Sequence, residues 1–159
     1  MMKQVLVCAA LVTMTMFSPV NAQQSPPATA RAKQVEALVQ KAAALIDSKG
    51  KAVFAEFRKK DTEWFHGDTY LFVYDLKSNV LLNAAFPARE GTNTTGQKDA
   101  NGKLFHHDFI VVAESKGSGW VDYIFPKPGQ TQPSQKWAFV KAVNVDGVSS
   151  LVASGFYPE

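Results

Sequence analysis

Chemistry needs side chains that can converge on one atom or one ion, and this chain offers few such sets. His106 and His107 are adjacent, with Asp108 next. Neighbours on a helix point about 100° apart, so the two imidazoles do not easily share a metal. His66 has no spacing that joins it to them. There is no G-x-S-x-G, and the single cysteine, Cys8, lies in the N-terminal apolar run, so no nucleophile–base pair is legible. A glycosidase pair would have to come from Asp61, Glu63, Asp68, Asp75 or Glu90. These fall mostly at element ends, where charge is solvated. Asn93-Thr94-Thr95 matches a glycosylation sequon, but sequons are common by chance and the N-terminus reads as bacterial. The chain is therefore expected not to be an enzyme and to need no metal or cofactor.

Binding fits the composition better. Tyr70, Tyr74, Trp120, Tyr123, Trp137, Phe139 and Tyr157 all fall on predicted strands. Buried Tyr and Trp need partners for their polar tips. Aromatic walls with a few convergent donors are the usual way to hold a small organic molecule. Arg89 in a long loop, and Lys136 and Lys141 on a strand, supply cationic donors for a carboxylate. The candidate ligand-binding residues are Arg89, His107, Trp120, Tyr123, Lys136 and Tyr157. Trp120 and Tyr123 differ in strand parity, so period alone leaves open which of them points inward.

The elements that must position these residues follow from periodicity. Val35, Leu38, Val39, Ala42, Leu45 and Ile46 form one helical stripe, which predicts a helix over about 31–48. Gly50 interrupts it, and a second helix is expected over about 51–60. Thr69 to Asp75 has apolar residues on both faces, a central strand covered on both sides. Lys77-Ser78-Asn79 turns the chain into a strand over Val80 to Ala85, and Phe86 to Asn101 is a long loop. Gly102 to Ser115 is read as a helix with Asn101 as N-cap and Gly117 as terminator. Trp120 to Phe125, Lys136 to Val143 and Val148 to Tyr157 are the last strands, with Asp146-Gly147 a hairpin turn.

The N-terminus reads as a secretory signal. Lys3 is followed by an apolar run, Val5 to Phe17, too short for the roughly 20 residues of a membrane span. Ser18-Pro19-Val20-Asn21-Ala22 then places cleavage after Ala22. Residues 23–30 are expected to be a disordered leader and residues 31–159 one domain. The net charge of +3, which becomes +2 on losing Lys3, is too small and dispersed for a nucleic-acid partner. No second apolar span follows, so no membrane span is expected after cleavage.

The order of short motifs resembles the single Cache domain of type 2. Gly50-Lys51 opens the second helix, Pro87 to Gly91 gives P-x-x-x-G, and Asp99-Ala100-Asn101-Gly102-Lys103 gives D-x-x-G-K. Gly119-Trp120-Val121-Asp122-Tyr123, Pro126-Lys127-Pro128-Gly129, Lys136 to Phe139 and Gly155-Phe156-Tyr157 follow in turn. The resemblance covers about Val35 to Tyr157. It implies an α+β fold: a long N-terminal helix packed on an antiparallel PAS-like sheet of about five strands, with a middle helix between strands 2 and 3. It implies a ligand pocket under the connecting loops and a periplasmic or secreted small-molecule sensor, many relatives binding short carboxylates. A membrane receptor or kinase is the partner such a module implies. Two positions depart from the family's pattern. Phe86 stands before the proline where histidine is common, and Phe139 stands where K-x-x-Y has tyrosine; both remove polar groups from the expected pocket region. The alternative is a protein–protein interaction module using the same fold without a small ligand.

Cleavage after Ala22 predicts that intact-mass analysis of exported protein gives Gln23 as the first residue. A mature species that still carries Cys8 overturns it.

Overall fold

The structure is a computed structural model that describes residue 26 and residues 28–158. The expected signal segment, residues 1–22, and residues 23–25 and 27 of the expected leader lie outside the described residues. Helix α1 spans Ala30–Lys49. The Thr29 hydroxyl accepts a hydrogen bond from the Ala32 N–H (3.1 Å), satisfying one of the donors a helix start leaves free. Its buried stripe is Ala32, Val35, Val39, Ala42, Ala43 and Ile46. Gly50 ends it with a φ of 58°, a 3-10 turn runs over Gly50–Val53, and the short α2 covers Phe54–Phe57. The second helix stops earlier than the expected residue 60. Arg58, Lys59 and Lys60 are all exposed, so nothing beyond Phe57 offers an apolar face to bury.

Six antiparallel strands follow: β1 (Phe65–His66), β2 (Thr69–Asp75), β3 (Val80–Asn83), β4 (Ser118–Pro126), β5 (Pro133–Val145) and β6 (Val148–Phe156). The order is β1-β2-β6-β5-β4, and β3 also pairs with β2. The strand beyond the expected five is β1, whose two residues are too few to show alternation. Asp146 and Gly147, with φ of 51° and 88°, make the tight turn from β5 to β6.

Helix α3 (Phe105–Lys116) lies between β3 and β4. It starts three residues later than the sequence suggests, and Asn101 does not cap it. The loop before it is organised by Asp99, whose carboxylate accepts the N–H groups of Asn101, Lys103 and Ile124. These bonds hold the carboxyl below its usual range against the opposing effect of partial burial, and they tie the loop to β4. Gly117, with a φ of 72°, terminates α3 as expected.

The sheet separates two apolar layers. On one face α1 packs with Leu71, Val73, Trp137, Phe139, Val152 and Phe156. On the other, α3 covers Tyr70, Phe72, Tyr74, Tyr123, Ala138, Val140 and Ala153. Alternation assigns each strand residue to its face, and both faces are covered.

Gly50 has a specific duty in this arrangement. A Cβ there would collide with the Asp146 carboxylate, which accepts the Lys51 N–H (3.1 Å). Gly50→Ala combines that clash with a left-handed backbone and is expected to destabilise the fold by about 1–3 kcal/mol. Urea denaturation checks it; an unchanged midpoint refutes the account.

Candidate functional site

The face under α3 is built around one amine. Lys136 is fully buried, on the same face of β5 as Ala138 and Val140. Its ammonium donates to the Tyr70 hydroxyl at 2.8 Å. Five rings surround it: the Nζ lies 4.1 Å from the centroid of Tyr70, 5.1 Å from Tyr157, and 5.5–5.8 Å from Phe72, Phe125 and Tyr123. Ring quadrupoles favour a cation there. Burial nonetheless dominates and pushes the amine down to about 7, with Asp68 pulling weakly the other way. Among the described residues Lys136 makes no ion pair.

Gly155 explains how the amine gets there. It sits on β6 opposite Ala138 of β5, while Leu71 of β2 pairs with Ser154. Lys136 thus reaches from β5 across β6 to Tyr70 on β2. A Cβ on Gly155 would strike the Trp137 carbonyl and come within 2.9 Å of the Lys136 Cε. The missing side chain is the channel the lysine occupies. Ser154 fixes the far side by donating to the Tyr70 carbonyl (2.8 Å), and the Tyr157 hydroxyl donates to the Pro126 carbonyl (2.7 Å).

The phenols of Tyr70, Tyr74, Tyr123 and Tyr157 are all raised by burial above their usual range, so they stay protonated and act as neutral donors. Tyr70, Phe72, Tyr74, Asn83, Phe105, Phe109, Tyr123 and Phe125 enclose an inner slot of about 10 Å³, the room of about one water molecule. Phe105 and Phe125 are shared with an outer cleft of about 260 Å³, which Arg89, Gln97, Lys98, Asp99 and His106 also line. The two rings therefore stand between the cleft and the slot.

At the mouth, Arg89 follows Pro87 in a 3-10 turn. Its guanidinium lies 5.6 Å from the Phe125 centroid and donates to Gln97 Oε1 (3.2 Å) and His106 Nε2 (3.3 Å). Guanidinium has no acceptor, so His106 Nε2 accepts and the proton sits on Nδ1. Burial, aided by the Arg89 charge, pushes His106 down to about 3, which keeps the ring neutral.

Of the candidates from sequence, the structure brings Tyr123, Lys136 and Tyr157 together, with Arg89 beside them at the loop. It does not bring in His107 or Trp120. His107 is exposed on the outer side of α3. Trp120 packs on the α1 face against Phe139 and Phe156. Phe139 shares that face, so the missing tyrosine hydroxyl there takes nothing from the pocket, whereas Phe86 does meet Tyr70 and Phe125. Lys141 is five residues from Lys136 and so faces the other way. Sequence reasoning missed His106, Tyr70 as hydrogen-bond partner, and Gly155. His106 was recoverable: it stands three before Phe109 and seven before Ala113, on the buried stripe. The larger cleft, about 430 Å³ between α1 and β1, has its charges paired, Lys41 with Glu63 and Arg31 with Asp68.

A twisted antiparallel sheet with a long N-terminal helix on one face and an aromatic, cation-bearing box under a helix on the other defines a PAS-like sensor domain. A family model described as Cache domain matches residues 32–157, and the chain belongs to the Cache family. A solved periplasmic sensor domain of a chemotaxis protein is 31% identical, with a TM-score of 0.65 over 81% of this chain and 95% of that one. A Cache chemosensory domain studied for carboxylic acid recognition is 22% identical (TM-score 0.68; 82% of this chain, 95% of that one). A methyl-accepting chemotaxis protein of Vibrio parahaemolyticus is also 22% identical (TM-score 0.65; 80% and 88%). These last two establish the shared fold. The methyl-accepting chemotaxis protein McpP of Pseudomonas putida is 24% identical over 90 residues, 57% of this chain and 16% of that protein. The chain thus spans a small part of that relative's length. No helix among the described residues is long and apolar enough to cross a membrane.

The state of Lys136 sets a pH dependence for the ligand-free fold. Below about pH 7 both folded and unfolded chains carry the proton, and the penalty of burying the charge is fully present. Between about 7 and 10.5 the unfolded chain holds the proton and the folded one has released it, so stability rises with pH. Lys136→Met is expected to remove this rise and to stabilise the fold at pH 6. Melting temperatures of both proteins from pH 6 to 9 test it; parallel profiles refute it.

Proposed function

We propose that this Cache domain binds a small organic anion, a short carboxylate, in the box beneath α3. The observation that carries the reading is the fully buried Lys136, held among five aromatic rings and in no ion pair among the described residues. A buried charge without a partner is costly, and a ligand carboxylate relieves that cost while the rings enclose its carbon body. The Tyr70 hydroxyl, which accepts from Lys136, and the Tyr157 hydroxyl, which donates to the Pro126 carbonyl, hold the polar wall of the box in place. The relative studied for carboxylic acid recognition supports this class of ligand.

The box as it stands holds little more than a water, so entry requires Phe105 or Phe125 to swing aside. Both border the outer cleft, and Arg89 lies over Phe125. The loop carrying Arg89 is the natural cover. The chain works in the periplasm or outside the cell, where it presents the ligand to a membrane receptor or kinase or buffers it; the periplasmic and chemotaxis relatives support this setting. The tightness of the slot is the one observation that favours the rival reading, an interaction module with an empty pocket.

Titration calorimetry with acetate and propionate separates the two. Binding is expected in wild type, with a loss of about 1.5–3 kcal/mol in Lys136→Met, the worth of a charge-assisted hydrogen bond, or roughly ten- to hundredfold in affinity. Affinity should also fall as pH rises above about 7, because an anion holds the proton on Lys136 and deprotonation removes the attraction. No heat and no thermal shift with any short carboxylate would favour the interaction module; binding that Lys136→Met leaves intact places the anchor elsewhere.

A further inference from the structure

The outer cleft holds a second set of donors that the single-anchor reading does not use. Arg89 Nε–H is buried and has no acceptor, and the same is true of His106 Nδ1. His106 is only 3% exposed, and its Nδ1 must carry the proton because Nε2 accepts from Arg89. Two buried donors without acceptors are rare in a folded protein and call for an acceptor from outside the chain. Arg89, like Lys136, makes no ion pair among the described residues. The one carboxylate lining the cleft, Asp99, is engaged by three backbone N–H groups.

The two cations meet across a single ring. Lys136 Nζ and Arg89 Cζ each lie 5.6 Å from the Phe125 centroid, so they are no farther apart than twice that distance. A chain of about four carbons with an acceptor at each end bridges such a gap. The slot and cleft share the rings of Phe105 and Phe125 in their walls, so one ligand can occupy both once a ring turns. His106 Nε2 holds the guanidinium in place without adding charge, because the ring stays neutral.

We infer that Arg89, held in place by His106, forms a second anion-binding site continuous with the Lys136 box, and that the ligand class is a short dicarboxylate held at both ends. This rests on the carboxylate reading above and narrows it. Charge supports the narrowing: a dianion neutralises both cations, whereas a monoanion leaves one of them without a counter-charge.

Calorimetry with butyrate and succinate, matched in carbon number, tests it on wild type, Arg89→Gln and His106→Leu, with circular dichroism and melting curves as the check on folding. Wild type is expected to bind succinate at least tenfold tighter than butyrate. Arg89→Gln should reduce succinate affinity at least tenfold more than butyrate affinity, and His106→Leu should shift it in the same sense. Butyrate binding as well as or better than succinate, or equal losses for both acids in the variants, overturns the second site and leaves the carboxylate reading standing. Neither acid binding overturns both. If Arg89→Gln does not fold, the wild-type ratio and His106→Leu decide the question.

Discussion

The structure turns on one buried ammonium that makes no ion pair among the described residues. Lys136 gains a single hydrogen bond, to Tyr70, and the faces of five rings. That is too little to restore the hydration it lost, which is why its proton affinity falls. Much around it follows from this deficit. Gly155 must lack a side chain so that the lysine can cross β6, and Tyr157, two residues on, closes over the amine. The G-x-Y sequence at the end of β6 is therefore one device: an opening and its cover.

The second constraint is the division of labour between faces. α1 buries a continuous aliphatic stripe against one side of the sheet and gives the domain its bulk core. That leaves the other side free to concentrate polar-tipped aromatics under α3. Packed phenols and imidazoles would be a poor way to build stability alone, because each polar tip needs a partner. They are tolerable here because the opposite layer is apolar, and because Lys136, Pro126 and Arg89 supply partners for Tyr70, Tyr157 and His106.

The fold was legible where periodicity is strong. The α1 stripe, the doubly covered β2 and the Asp146-Gly147 turn each carry a local signal that tertiary structure did not override. The family followed from the order of the short motifs. β1 was not legible, since two residues cannot alternate, and the start of α3 was misplaced because Asp99 satisfies the loop's N–H groups in place of an Asn101 cap. At the site, Arg89 and Lys136 stood out by charge. Trp120 and Tyr123 could not be sorted without knowing the register of β4 on β5, which pairs Tyr123 with Lys136. His107 was preferred to His106, although the 100° step between neighbours turns His107 to solvent.

The alternation along β5 has a mechanical consequence. Lys136 faces the aromatic box and Trp137, the next residue, lies in the layer that α1 buries. The two environments are separated by the thickness of one peptide unit. A close-packed sheet cannot absorb a shift of the lysine backbone by stretching, so any such shift tilts Trp137 against the helix. One peptide unit therefore couples the two layers, with the chamber on one side of it and the longest helix among the described residues on the other.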